Sequence, residues 1–591
     1  MRPRQSFWKW LLAGLLAVIA VGFVLLLLRP AGPPSNLRNQ VEASLSDWTG
    51  GTVTLQKPLQ LRYLPPSIEG GFKLSDAEKL PSVRSVTAPK FRLTLSLPDL
   101  LLGKVSLRSL RLDKPTLTLK AGHDDRTAKT VLGQLTSFVA GAPLENIRIH
   151  QGVVEPGRGQ PVLSDLDLRL NTRGQLGALE AVGAFVFNGE NVNFSMDRGR
   201  TREAEAGQSA PLTLKVTSAP LTARFSGTME LGEELGGEGR LEATLPDIRR
   251  FLAWVGVALP EGESLKDASA SGRVHWLGST LTFDDGTFEF DGNEAVGLMA
   301  LTAGARPRID GTLAFDTLSL DPYLTSVSAA GADESLFDWV LLKYLDADLR
   351  ISAAEVSGGT LQLGRGGLTI NAENGAISSE IGALKVCGGH AEGRFDLDLT
   401  SPRVEAALAG SLADVAIDTC RQSLGMIVPI TGSGTVKADM STGGTTHDEL
   451  IRGLAGTVVV TAEDGTLPID LSTLLSKPDA EATGWSEDAV TPYSELNADC
   501  SLSAGHLWCQ SFRMTTGDKP VSGAGGLDIA RQTLDWDLQM PDSEVHLDPA
   551  VSVAKPQPGI TIHGSLTTPE MARAPASEQE TAAPEPDTEK Q

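Results

Sequence analysis

The stretch "FRLTLSLPDLLLGKVSLRSLRLDKPTLTLK", Phe91 to Lys120, constrains the fold more than any other part of the chain. Phe91, Leu93, Leu95 and Leu97 alternate with polar residues, the two-residue period of a half-buried strand. A proline, an aspartate, three leucines and a glycine then interrupt the pattern, which resumes at Val105. The same alternation governs the chain from Thr52 onward, and about 25 segments read as strands. Asn188-Gly189, Asp285-Gly286, Asp310-Gly311, Asn374-Gly375 and Asp464-Gly465 each read as a tight hairpin turn. Long helical patterns do not alternate with the strands, so a parallel βαβ architecture is excluded. A mainly β, antiparallel fold is expected.

The interruption recurs. "LPDLLLG" at 97–103 is echoed by "LPDIRRFLAWVG" at 245–256, where Ile248, Phe251, Leu252 and Val255 have helical spacing. "LDPYLTSV" at 320–327 and "LDPAVSV" at 547–553 swap aspartate and proline, and "LPIDLSTLLS" at 467–476 is a looser version. Proline is tolerated in a helix's first turn, and an aspartate there caps free N–H groups. Each copy is therefore a strand run ending in a short helical plug, which points to stacked β units. In the first copy the apolar phase is odd through Leu107, even at Leu110 and Leu112, and odd again at Leu117 and Leu119. A one-residue slip turns side chains to the other face unless a bulge absorbs it, so breaks are predicted near Ser109 and Pro115.

From Trp10 to Leu28 the chain is apolar and uncharged, long enough to cross a bilayer core. Arg2, Arg4 and Lys9 precede it and place residues 1–9 in the cytoplasm. A cleaved signal peptide competes, but the run exceeds a usual h-region and "RPAGPPS" offers no A-x-A site. An uncleaved anchor over 10–28 is expected, with the chain beyond Arg29 outside the cytoplasm. Polar insertions stand out at 197–211 and 476–492, and the tail 567–591 is Pro-, Ala- and Glu-rich and expected to be disordered.

The net charge of −23 argues against a nucleic-acid partner. Four cysteines suit an oxidising compartment. If Ala504-Gly505 is a two-residue hairpin loop, Cys500 falls opposite Cys509 at a non-hydrogen-bonded pair, close enough for a disulfide. Cys387 and Cys420 are a weaker candidate for a second bridge, and no C-x-x-C motif is present.

Motifs of known catalytic chemistry are absent, and no cofactor or metal site is expected. His123-Asp124-Asp125 and His447-Asp448-Glu449 read as solvated turns or a helix start. The paired carboxylates at 165–167, 396–398 and 535–537 alternate with Leu or Trp, as on any solvent-facing strand. "FDDGTFEFDGNE" at 283–294 reads as an acidic hairpin rather than a calcium loop. An enzyme is not expected. What remains is the apolar strand face. Either the sheet folds on itself as a sandwich, or it curls into a trough whose lining meets an apolar ligand. With aromatic residues at only 5%, composition leaves both open.

The order of elements resembles the AsmA family of Gram-negative envelope proteins. The resemblance is carried by "LPDLLLGKVSLRSLRLDKPTLTL", "LENIRIHQGVVEPGRGQPVLSDLDLRL" (144–170), "LDADLRISAAEVSGGTLQLGRGGLTI" (345–370), "KVCGGHAEGRFDLDL" (385–399), "ITGSGTVKADMSTGGTTHDELIRGLAGTVVVTAEDGTLPIDLSTLL" (430–475) and "GITIHGSLTTPE" (559–570). It implies an inner-membrane anchor followed by periplasmic β regions over 31–256 and 257–566. It also implies a repeating β-groove and a role in outer-membrane biogenesis, most plainly phospholipid transport between membranes. A scaffold that modulates outer-membrane protein or lipopolysaccharide assembly is the alternative. The implied partners are a phospholipid or other acyl-chain lipid, the inner membrane and outer-membrane or periplasmic proteins. Under this reading Leu93, Leu95, Leu97, Leu117, Leu119, Leu166, Leu168, Leu170, Phe395, Leu397 and Leu399 are candidates to line the groove.

Overall fold

The computed structural model describes residues 35–120, 144–323, 345–424, 430–540 and 559–573, less 64, 81, 103, 157–161, 174–177, 200–208, 232–234, 258–264, 305, 359–360, 402, 477–480 and 487. The expected anchor at 10–28 and the "LDPAVSV" plug lie outside these residues. Among the described residues no helix is long and apolar enough to cross a membrane. The chain forms two compact units. The first runs to Gly292 and takes in Gly297–Pro307; the second takes in Asn293–Val296 and continues from Arg308.

The first unit opens with helix α1 (Ser35–Thr49), whose Val41 and Leu45 share a buried core with Leu55, Ile68, Phe91 and Leu93. Helix α1 also seals the free edge of the first strand, Thr52–Tyr63. Ser46 Oγ accepts from Val53 N, Glu42 Oε1 accepts from Leu55 N, and Arg38 donates to the Leu55 carbonyl. An unsealed edge would be a template for another strand. Hairpin-connected strands follow. Two breaks interrupt the first copy of the repeat where the change of apolar phase requires them. Thr94 pairs with Ser109 but Leu95 with Leu107, and Lys114 turns to φ +53 before Pro115. Between Leu95 and Leu107 the plug "LPDLL" is helix α2 (Leu97–Leu101). The second plug is α3 (Ile248–Trp254), capped by Asp247, whose side chain accepts from Arg250 N at 2.8 Å. It is held to the turn at residues 187–190: Trp254 Nε1 donates to the Phe187 carbonyl at 2.7 Å, and Arg250 pairs with Glu190.

The second unit starts with Arg308–Ser319 and continues as a meander to Pro569–Arg573. Its helices among the described residues include α4 (Ile417–Leu424), α5 (His447–Gly453) and α6 (Leu471–Ser476). Helix α5 begins as a reciprocal cap: Thr446 accepts from Glu449 N while the Glu449 carboxylate accepts from Thr445. The "HDE" triplet is thus a helix start. Asp470 caps α6 by accepting from the Thr473 hydroxyl and amide, and those bonds hold its pKa down at about 2. Leu471 and Leu474 of α6 enter a core with Tyr493, Met514 and Ile560.

The structure departs from the antiparallel expectation at two places. Leu107–Asp113 and Thr116–Leu119 run parallel to Asn146–Pro156, and Arg308–Ser319 runs parallel to Asp346–Gly358. A parallel pair needs a crossover of a dozen or more residues, and the segments 120–145 and 320–345 are long enough to supply one. Turn assignment is corrected as well. Asn188-Gly189 and Asn374-Gly375 are turns with both residues at positive φ, as are Asp291-Gly292, Cys387-Gly388 and Ala504-Gly505. Asp285-Gly286, Asp310-Gly311 and Asp464-Gly465 instead lie inside strands. The acidic hairpin at 283–294 therefore turns at Asp291-Gly292. The tail expected to be disordered from Thr567 forms a strand over Pro569–Arg573, which pairs with Glu481–Thr483 inside the polar insertion.

Candidate functional site

Side chains alternate across each strand, so apolar residues at matched register form rows running from strand to strand. In the first unit one row joins Leu112, Ile149, Leu168, Gly183, Phe194, Val216, Ala223, Ala243, Ala270 and Phe288. In the second unit a row joins Leu349, Ile370, Ser379, Phe395, Leu408, Met440, Gly456, Leu502 and Leu507. Near α1 and α6 this face is closed core. Farther along each row it is open: Ile149, Leu168, Phe194 and Val216 are half-buried, as are Leu349, Ile370, Phe395 and Met440, and Leu408 is 36% exposed. Their sequence neighbours Arg169, Lys215, Arg394 and Asp439 point to the opposite, solvated face. An apolar row left half-exposed is the arrangement an apolar ligand would complete.

The candidate lining residues divide by environment. Leu93 and Leu95 are 0% and 2% exposed in the core beneath α1, and Leu170 is also buried there. Leu397 and Leu399 are buried with Leu345, Ala347, Ala372 and Ile377. Leu97 is not on a strand face, because it begins α2, where it is 42% exposed. Leu117, Leu119 and Leu168 pack half-buried against the first core, Leu166 is half-buried, and Phe395 packs half-buried against the core around Leu397; Leu168 and Phe395 are members of the two rows. Local alternation marks which face is apolar, but closure over that face depends on helices distant in sequence.

Cys500 and Cys509 face each other in the hairpin closed by Ala504-Gly505 and are bonded, with Cα atoms 3.8 Å apart. Cys387 and Cys420 form the second bridge and tie α4 to the turn at Cys387-Gly388. The first bridge lies on the apolar face, two residues from Leu502 and Leu507 at the buried end of the row.

Two features of this face were not singled out from sequence. Glycines pair across strands and seat aromatic rings: Phe225 lies over Gly227 and Gly239, and Trp536 over Gly525. A Cβ at any of these glycines would meet the ring or the partner backbone. The rings pair edge-to-face, Phe225 with Trp276 at 4.9 Å and Phe512 with Trp536 at 5.5 Å. The second feature is Arg198. Glu190, in phase with it on the same strand, is paired with Arg250; Arg198 stands on the apolar face between Leu179 and Leu212 and is 5% exposed. Burial pushes its pKa below the usual guanidinium value. The "MDRGR" stretch offers only one signal for it: Arg198 falls in phase with Phe194 and Met196.

The polar face carries ion pairs and hydrogen-bonded carboxylates. His150 Nδ1 lies 2.6 Å from Asp167, which holds that carboxyl below its usual pKa; His275 pairs with Asp284 and His563 with Asp535. Asp396 is held down by bonds from Ser378 and Arg394. Two open depressions on this face of the second unit, of about 820 and 650 Å³, include Arg394, Asp396 and Arg403 in one and Arg350, Glu380 and Arg394 in the other. No group of three His, Cys, Asp or Glu among the described residues could hold a metal.

Comparison with known families matches residues 306–512 to the AsmA family. No curated protein and no solved structure matches the chain.

Proposed function

From the AsmA-family identity of residues 306–512, we propose that the chain is a non-catalytic, inner-membrane-anchored periplasmic protein whose open apolar rows hold phospholipid acyl chains. Its role would be the movement of phospholipid between membranes during outer-membrane biogenesis. The carrying observation is the half-exposed row through Leu349, Ile370, Phe395, Leu408 and Met440, backed by a polar face one residue out of phase. Alkyl chains gain about 0.8 kcal/mol per buried CH₂ wherever they lie, so such a row binds without fixing a lipid in one place. That suits carriage better than storage. The uncleaved segment 10–28 would hold the protein in the membrane, and both disulfides accord with an oxidising compartment.

The test is photocrosslinking in cells at paired positions on the same strands. Crosslinkers at Phe395, Leu408 and Met440 should trap phospholipid, while those at Arg394, Ala409 and Asp439 should not. Equal adducts on both faces, or none at the three apolar positions, would refute lipid carriage by this row. Cellular function retained in variants that no longer trap lipid would favour the assembly-scaffold alternative.

A further inference from the structure

The formal charge of the chain is distributed very unevenly. Residues 1–173 carry 23 Lys and Arg against 13 Asp and Glu, whereas residues 174–591 carry 28 against 61. The structure collects part of this early excess into one line. Arg92 pairs in register with Arg111, Arg111 with Arg148, and Arg148 with Arg169, on four neighbouring strands of the first unit. All four are exposed, on the face opposite the apolar row. Neighbouring strands lie about 4.8 Å apart, so four guanidinium stems stand side by side on one rung. Like charges placed directly opposite destabilise a sheet. The ladder therefore does not arise from the sheet's own stability. Acids near it only partly offset it: Glu69 is shared between Arg62 and Arg92, Asp113 pairs with Arg111, and Asp167 is engaged by His150.

We propose that this arginine ladder docks the first unit on the anionic phospholipid headgroups of the membrane that holds the N-terminal segment. The proposal rests on the membrane placement given above and not on lipid carriage. Three observations favour a headgroup surface over an acidic protein. Residues 29–173, which follow the apolar segment directly, still carry 20 Lys and Arg against 13 Asp and Glu. Residues 29–34 between that segment and α1 span at most about 20 Å when extended. The acidic remainder of the chain would be repelled by the same surface, so docking would be confined to the first unit. A rung of guanidiniums matches phosphate oxygens spaced along a plane, since each fork can take two of them. Docking by this face would turn the apolar row of the same strands away from the headgroups.

The experiment uses the full chain incorporated into lipid nanodiscs of phosphatidylcholine alone, or of phosphatidylcholine with phosphatidylglycerol. All four native cysteines are in disulfides, so a single new cysteine can be labelled. Val182 stands beside Arg169 on the next strand and is 47% exposed. A fluorophore at Val182→Cys, with a nitroxide on the lipid headgroups, reads proximity. A label at Glu242→Cys, four strands farther along the same face, is the distant reference. Quenching at Val182→Cys should be several-fold greater in anionic than in neutral discs, and should exceed that at Glu242→Cys. It should fall to the neutral level at about 1 M salt, where the Debye length is about 3 Å. Adding Arg111→Gln and Arg148→Gln should abolish the excess, and Arg111→Lys with Arg148→Lys should restore most of it. Unchanged melting of both variants in neutral discs shows that folding is not what was lost. Incorporation without charge-dependent quenching overturns the docking alone. Failure to incorporate overturns the docking together with the membrane placement.

Discussion

Replacing Gly239 by alanine should destabilise the first unit, although the same change in an ordinary strand interior stabilises by about 0.5–1 kcal/mol. A Cβ at Gly239 would stand 2.5 Å from the Ser226 carbonyl oxygen, 2.7 Å from Gly227 Cα and 2.7 Å from Phe225 Cζ. Two of those three atoms are backbone of the paired strand and cannot rotate away. The third is a ring already committed to Trp276. Overpacking of this kind costs about 1–3 kcal/mol, which outweighs the propensity gain and leaves a net loss of about 1–2 kcal/mol. For a unit of this size that is a fall of roughly 2–8 °C in melting temperature. Gly382 is the matched reference, because a Cβ there meets nothing within 4 Å, and Gly382→Ala should hold or raise the midpoint of the second unit. Calorimetry of the intact chain reads both. Adding Phe225→Leu to Gly239→Ala should recover part of the loss if the ring is one obstacle. A rise in melting temperature for Gly239→Ala would refute the idea that these glycines exist to seat rings on the apolar face.

Asp470→Ala should cost about 1 kcal/mol through loss of the α6 cap. Because the folded-state pKa of Asp470, about 2, lies below the ordinary aspartate value of 3.8, that contribution is complete above about pH 4. It should fade as the pH falls toward 2, so denaturant midpoints of wild type and variant should converge in acid. Chain-entropy reasoning ranks the disulfides: the bridge with sequence separation 33, Cys387–Cys420, contributes about 3.7 kcal/mol, and the one with separation 9, Cys500–Cys509, about 2.6 kcal/mol. Removing each pair as a double alanine variant should reproduce that order in urea unfolding. Trp254→Phe should cost about 1 kcal/mol by leaving the Phe187 carbonyl without its indole donor, read as faster amide exchange in the 187–190 turn.

Much of the chain's chemistry is local, and local features were legible. Cys500 and Cys509 follow from a two-residue loop and the alternation of pair types. The helical plugs follow from Asp247 and Asp470, which cap the helices that begin beside them. Asp285-Gly286 shows where local reading fails. The dipeptide has turn chemistry, but Gly286 faces Gly272 across the sheet and leaves room for Phe288, so its glycine answers a packing demand. The candidate lining residues show the same limit. Leu95 and Leu168 have the same alternating pattern, yet one is fully buried under α1 and the other only half-buried at the margin of the same core.

What the sequence determined by itself is therefore periodic and short-range: strand class, apolar phase, the two phase breaks near Ser109 and Pro115, plugs and a hairpin disulfide. These depend on side-chain alternation and on capping within a few residues. What only the tertiary structure decided is pairing at a distance. Glu481–Thr483 and Pro569–Arg573 each lack any strand signal, and they become strands against each other, with Met571 2% exposed. The two parallel pairings, the sealing of the first edge by α1, and the openness of the rows at Phe194 and Leu408 are of the same kind. Each depends on which distant backbone supplies the hydrogen bonds or the cover, and alternation within one strand carries no information about that.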